Sequence, residues 1–309
     1  MTAAASRPPA GGTPLPPPGP HGGDGPRVAA AFRLRPAEVL DLSAGMNPVA
    51  PDVAALAAGC LDSLRHYPDV AVATRALAEA MEVDPDRLLL TNGGGEAIAL
   101  VAGALGGHVD EPEFSLHPRD PDGAGPRWRS NPHNPTGRLA GADDQAGVWD
   151  EAFYPLATGR WTRGDGAVVV GSLTKVFSCP GLRLGYVLGD EALVAEVAAR
   201  QPCWSVNALA VALLPELLAL ADLPRWARHL AELRAELATL LAAHGLEPLA
   251  SEASFVLCAR APGLRARLAP YGVVVRDCAS FGLDGQARVA VPTEDGLERL
   301  ARALEASVP

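Results

Sequence analysis

Residues 171–186 read GSLTKVFSCPGLRLGY. The run Val168–Val170 leads into this stretch, Lys175 follows it, Pro180 and Gly181 turn the chain, and Arg183 opens a second apolar segment. GAVVVGSLTK (166–175) is the clearest buried strand in the chain, a β-branched run bounded by glycines. LRLGYVLGD (182–190) is suited to pair beside it. A lysine at a strand end is ordinarily a solvated surface charge, so its meaning depends on what else the chain brings there. In an α/β sheet the carboxyl ends of strands form the usual ligand crevice. Asp150, closing the apolar run GVWD, occupies the same kind of position as Lys175.

Upstream, RLLLTNGGGEAIALVAGALGG (87–107) reads as strand, glycine-rich turn and helix, an α/β unit. A helix N-terminus preceded by glycines attracts anions, because its first N–H groups lack partners. The turn has neither the G-K-[ST] of a P-loop nor G-x-G-x-x-G spacing, and taken alone it reads as a plain tight turn as readily as a phosphate loop. SNPHNPTG (130–137) is a turn cluster in which two X-Pro steps stiffen the support of one amide, Asn134. Between Gly106 and Arg129 periodicity is lost among Pro, Gly and Asp. DVAALAAGCLDSLRHYPD (52–69) and VAVATRALAEAMEV (70–83) predict helices, and an Ala/Leu-rich helical stretch runs from 192 to 244 with Pro202, Pro215 and Pro224 as breaks. SFVLCA, GVVVRDC and ARVAVP predict strands near the C-terminus, and Thr293 is placed to cap the last helix.

The composition is that of a globular protein: 309 residues, 48% hydrophobic and 20% charged. A net charge of -10 gives no electrostatic reason to expect nucleic acid or an anionic membrane as a partner, so an anionic ligand needs a local site. The five cysteines are scattered, which argues against a disulfide framework and a structural metal site and fits a reduced, cytoplasmic setting. No apolar run of about 18 residues predicts a membrane span. The Pro/Gly-rich start, 1–26, reads as a disordered tail.

The combination S-L-T-K with P-G-L-R-L-G-Y, N-P-x-N-P-T-G and D-E-A-F resembles the fold-type-I pyridoxal-phosphate enzymes, and within them the class I/II aminotransferases. Histidinol-phosphate aminotransferases and the threonine-phosphate decarboxylase-like proteins of cobalamin biosynthesis are the nearest branches. The resemblance runs from about Asp41 to the C-terminus and is strongest at 131–137, 150–153 and 171–186.

It implies an α/β fold: a large domain (27–205) with a mostly parallel sheet flanked by helices, and a smaller C-terminal α/β domain (206–309). It also implies pyridoxal 5'-phosphate as cofactor and no metal. Lys175 would form the Schiff base and shuttle the α-proton, and Asp150 would keep the pyridine nitrogen protonated. Asn134 would bond the phenolic oxygen. Arg183, Ser172 and the backbone of Gly94 and Gly95 would hold the phosphate, and Phe114 would stack on the ring. Tyr67 would reach the phosphate across a homodimer interface. Arg288 would take the substrate carboxylate, and Gly45 would line the substrate side. Read by type alone, a strand arginine such as Arg288 belongs at the surface.

An aminotransferase acting on an amino acid, phosphorylated or not, is the leading expectation. A phosphoamino-acid decarboxylase is the alternative, favoured by Phe153 where many aminotransferases carry Tyr. A shortened, non-catalytic binding protein is the third reading, motivated by stretches 114–131 and 137–150, which are shorter than the family expects and would leave sheet edges for a partner to cover.

Overall fold

The computed structural model describes residues 14–164 and 166–307. Residues 1–13 of the expected tail lie outside the described residues. The strands in chain order are β1 (Leu40–Leu42), β2 (Leu88–Asn92), β3 (Trp128–Ser130), β4 (Val148–Asp150), β5 (Val168–Gly171), β6 (Leu184–Leu188), β7 (Phe255–Cys258), β8 (Val273–Asp277) and β9 (Ala287–Ala290). They form two sheets, ordered β2-β6-β5-β4-β3 and β1-β8-β9-β7.

Two compact units result. The larger holds Val49–Asn134 and Arg138–His229; the smaller holds the chain up to Pro48, Pro135–Gly137 and the chain from Leu230 onward. This grouping differs from a division at residue 205. The start of the chain belongs with its end because β1 pairs in parallel with β8, Leu40 opposite Val273 and Leu42 opposite Val275. Residues 206–229 stay with the larger unit because the helix Ala208–Ala219 packs on the helix Ala71–Met81. Pro215 lies inside that helix rather than ending it. The fully buried Leu213, Leu214 and Leu217 flank it, and their burial outweighs the hydrogen bond that proline cannot make.

Residues 14–26, expected to continue the tail, are tied into the smaller unit. The Arg265 Nη1 donates to the Pro16 carbonyl at 2.8 Å, and the Arg276 Nη2 donates to the Pro20 carbonyl. Proline lacks an N–H but keeps its carbonyl, and buried guanidinium groups need acceptors. In the same unit the helix Glu294–Ala306 starts as predicted, with Thr293 Oγ1 accepting from the Gly296 N–H at 3.2 Å.

In the larger unit β2, β3, β4 and β5 run one way and β6 runs against them. Every residue of β4 and β6 is buried, which explains their unbroken apolar runs. The helix Gly93–Leu105 lays Ala97, Ile98 and Val101 on Trp128, Val148, Val170 and Val187. The strand β3, unread in the sequence, is only three residues long. Its outer edge is closed within the chain: the Trp128 N–H donates to the His108 carbonyl at 2.8 Å, and the indole N–H donates to the Gly106 carbonyl at 3.0 Å. The short segment after the helix therefore covers this edge, and no partner is required for it. The helix expected over 52–69 resolves into Val53–Ala57, capped by Asp52, and tighter 3-10 turns over Ala58–Arg65.

One close approach in this unit is stringent. A β-carbon at Gly185 of β6 would lie 2.6 Å from the Gly94 nitrogen, so strand and helix start meet backbone to backbone. Gly103, on the same helix, is exposed with nothing within 4 Å of an added β-carbon. Gly185→Ala is expected to destabilise the protein by about 1–3 kcal/mol, whereas Gly103→Ala is expected to stabilise it by up to about 1 kcal/mol, as read from urea unfolding midpoints.

Candidate functional site

The parallel pairing of β4 with β5 sets Asp150 opposite Val170, so both strands end together. Asp150 is the last residue of β4. After β5, Ser172 leads into the short helix Leu173–Val176, and Lys175 comes one turn later. Acid and amine thus stand at the carboxyl ends of adjacent parallel strands, where open α/β sheets hold ligands. The Lys175 Nζ lies 5.9 Å from the centroid of the buried Phe153 ring.

The loop after β3 reaches the same edge. The Asn131 N–H donates to the Asp150 carbonyl at 2.8 Å, and the Asn131 Oδ1 accepts from the Ala140 N–H at 2.9 Å. These bonds fix the support of Asn134, which is buried.

An anion cradle lies at the start of the helix Gly93–Leu105. Gly93 has φ +77°, and a β-carbon there would sit 2.7 Å from the Arg183 Nη2. At Gly94 it would sit 3.3 Å from the Ser172 Cβ. The helix start, the Ser172 side chain and the Arg183 guanidinium are therefore packed closely, with no room for a side chain at Gly93, and their N–H and O–H groups are all donors, as an anion requires. The carboxylate of the turn, Glu96, is engaged elsewhere: it accepts from the Asn92 N–H at 2.7 Å, Gln201 Nε2 at 3.1 Å and Ser205 Oγ at 3.0 Å. Arg183 itself has φ +56°, a left-handed conformation uncommon for a non-glycine residue. Gly95 stands more openly, its nearest neighbour being the Leu116 Cδ1 at 3.9 Å from an added β-carbon. The tight part of the turn is Gly93–Gly94, whereas the resemblance assigns the phosphate to the backbone of Gly94 and Gly95.

The segment 106–127 brings a further set that sequence reasoning missed. The His117 Nε2 lies 3.1 Å from the Asp150 Oδ2, across 33 residues of chain, and its ring is flanked by Trp128 at 5.5 Å and Phe114 at 5.6 Å. The Asp150 Oδ1 accepts from the Ala152 N–H at 2.9 Å, so the carboxylate is oriented through both oxygens. Burial alone would drive the proton off His117. The hydrogen bond to Asp150 and the charges of Asp150 and Glu113 outweigh it and hold the imidazole up at about 9. The only sequence signal was the three-residue spacing from Phe114, inside a stretch without periodicity. Phe114 itself is partly buried, packed against the sheet core with its ring edge-on to His117.

Tyr67 is 77% exposed and stacks on Trp204 with centroids 4.4 Å apart. In the smaller unit Arg288 is buried and not at the surface, contrary to its reading by residue type alone. Its guanidinium lies 4.3 Å from the Phe255 ring centroid and opposite Arg276 across β8 and β9. Burial, then the neighbouring Arg276 charge, brings Arg288 down to about 9. In this unit too, the Gly45 carbonyl accepts from the Ser254 hydroxyl at 3.0 Å.

The chain is similar to known proteins along most of its length. The profile of the family described as aminotransferase class I and II matches residues 128–304. The threonine-phosphate decarboxylase of Salmonella typhimurium is 31% identical, over 92% of this chain and 95% of that protein. Histidinol-phosphate aminotransferase 2 of Pseudomonas aeruginosa is 28% identical, over 90% of this chain and 91% of that protein. In fold, the chain resembles the histidinol-phosphate aminotransferase of Sinorhizobium meliloti in complex with pyridoxal-5'-phosphate. That match has a TM-score of 0.73 at 18% identity and covers 86% of this chain and 89% of that one. With a profile match over more than half its length and a relative aligned nearly end to end, the chain belongs to the aminotransferase class I and II family.

Proposed function

We propose that this protein is a pyridoxal-phosphate enzyme that transfers the amino group of a small amino acid or amine. The observation that carries the proposal is the convergence of Lys175, Asp150 and the Gly93–Gly94–Ser172–Arg183 cradle within one unit. The cradle fits the phosphate of the family's cofactor in donor chemistry and in the close approach that its glycines allow.

When bound, pyridoxal 5'-phosphate supplies an electron sink that stabilises negative charge at the substrate α-carbon. Arg183, Ser172 and the N–H groups of Gly94 and Gly95 would hold its phosphate. Asp150 would keep a hydrogen on the ring nitrogen, Asn134 would bond the phenolic oxygen and Phe114 would face the ring. The Lys175 amine would anchor the cofactor covalently, then take the α-proton and return it at a neighbouring atom. Phe153 gives that amine an apolar wall instead of a competing hydroxyl. The substrate-side roles of Arg288 and Gly45 rest on the family resemblance.

The names of both relatives carry a phosphate-bearing substrate, which makes phosphorylated amines and amino acids the class to test first. Phe153 and the near full-length relative named a decarboxylase support a second reading, loss of carbon dioxide from a phosphoamino acid. For assembly, a homodimer is the reading supported by the exposed Tyr67–Trp204 stack together with exposed Leu61, Leu64 and Val72.

Assays of one preparation for keto-acid-dependent amino transfer and for carbon dioxide release are expected to give the first activity; carbon dioxide alone would establish the second reading instead. Lys175→Ala is expected to lose turnover by roughly 10²–10⁴-fold and to lose the borohydride-fixed cofactor. Cofactor still fixed in that variant, seen by mass spectrometry, would refute the anchor. Arg183→Ala is expected to weaken cofactor binding by about 10–100-fold with substrate preference unchanged, measured by equilibrium dialysis.

A further inference from the structure

The acid on the far side of His117 has no part in the scheme above. Glu113 is 2% exposed, and its carboxylate is held from several sides. Its Oε1 accepts from the Ser130 N–H at 2.7 Å, and its Oε2 accepts from the Phe114 N–H at 3.0 Å and from the Ser130 hydroxyl. The same Oε2 lies 3.4 Å from the His117 Nδ1, within ion-pair distance although its geometry falls short of a hydrogen bond. Across the ring, the Nε2 meets Asp150 at 3.1 Å. Two carboxylates thus bracket one wholly buried imidazole.

The ionisable groups around this ring come from four elements. Asp150 lies on β4 and Glu113 on the ring's own segment. His133, on the loop after β3, stands 3.8 Å from the Glu113 Oε1 and 2.8 Å from the Pro112 carbonyl. Tyr186 of β6 is buried and kept protonated by burial and by the nearby acids Glu151 and Asp150. The walls, Trp128 and Phe114, are neutral.

A neutral imidazole carries one N–H and can donate to only one of two acids, while an imidazolium donates to both. A neutral ring would also leave two negative charges together in an apolar pocket, and a charged one leaves a net single charge. Burial raises Glu113, but the contacts from His117 and Ser130 prevail and hold it below the usual carboxylate range.

We propose that Glu113 is a positioning residue: by occupying the Nδ1 side of His117 it keeps a hydrogen on both ring nitrogens, so that the Nε2–H is always turned to Asp150 and holds that carboxylate in place. The ring cannot then adopt the tautomer that would present a lone pair to Asp150. The importance of this for catalysis rests on the reading of Asp150 as the partner of the cofactor ring nitrogen.

The test uses imidazole nitrogen NMR of the full-length protein without cofactor. In the parent protein His117 is expected to be doubly protonated near neutral pH, with its midpoint at about 9. Glu113→Gln is expected to lower that midpoint by about one unit or more. Because the folded value lies above the ordinary 6.5, the proton's contribution to stability is complete below that pH and lost as pH rises through about 9. The apoprotein melting temperature should fall across this window, and less so in Glu113→Gln. With cofactor bound, the variant should lose kcat with little change in KM. A neutral His117 in the parent at neutral pH, or an unshifted midpoint in Glu113→Gln, would overturn the proposal; the parent measurement stands even where the variant fails to fold. Failure to take up pyridoxal phosphate would instead overturn the reading of Asp150 and leave the His117 result intact.

Discussion

The register of β4 against β5 is the constraint on which the site depends. Side chains alternate across a strand, so a slip of one residue would turn Asp150 from one face of the sheet to the other. The register is secured by burial on both faces: Val148, Trp149, Val169 and Val170 are all nearly inaccessible, and Val148 and Val170 pack under the helix that begins at Gly93. That helix carries the glycine turn beside Ser172 and Arg183 at its start, so one packed layer fixes acid, amine and this backbone together. β6, running against its neighbours, returns Arg183 to the start of the same helix.

Much of this was legible in the chain. A β-branched run between glycines announces β5 whatever surrounds it, and Lys175 and Arg183 are visible through their distance from that run. Asp150 was legible as the acid closing a short apolar segment. What escaped depended on distance along the chain. His117 acquires its meaning only from Asp150, Glu113 only from His117 and Ser130, and neither carries a local pattern. The grouping of β1 with β8 was hidden for the same reason, because a three-residue strand has no periodicity to read and its partner lies more than two hundred residues away. Residue type alone would put Arg288 at the surface, but the aromatic face of Phe255 shelters its guanidinium.

The shortened middle of the chain does not leave the sheet open at β3. Residues 106–108 lie along that strand, and the Trp128 indole closes over the Gly106 carbonyl. The same segment supplies Phe114 and His117, so a stretch whose composition suggested only loop both covers an edge and furnishes two groups beside Asp150. A brief irregular segment is enough because its polar backbone is satisfied by the strand it borders.

Arg183 holds a left-handed backbone conformation that costs a side-chain-bearing residue about 1 kcal/mol or more relative to glycine. Selection for thermal endurance alone would favour replacing it with glycine, which would relax the backbone and at the same time remove a guanidinium from the cradle. On the proposed reading of the cradle, the position marks where robustness and ligand affinity pull in opposite directions.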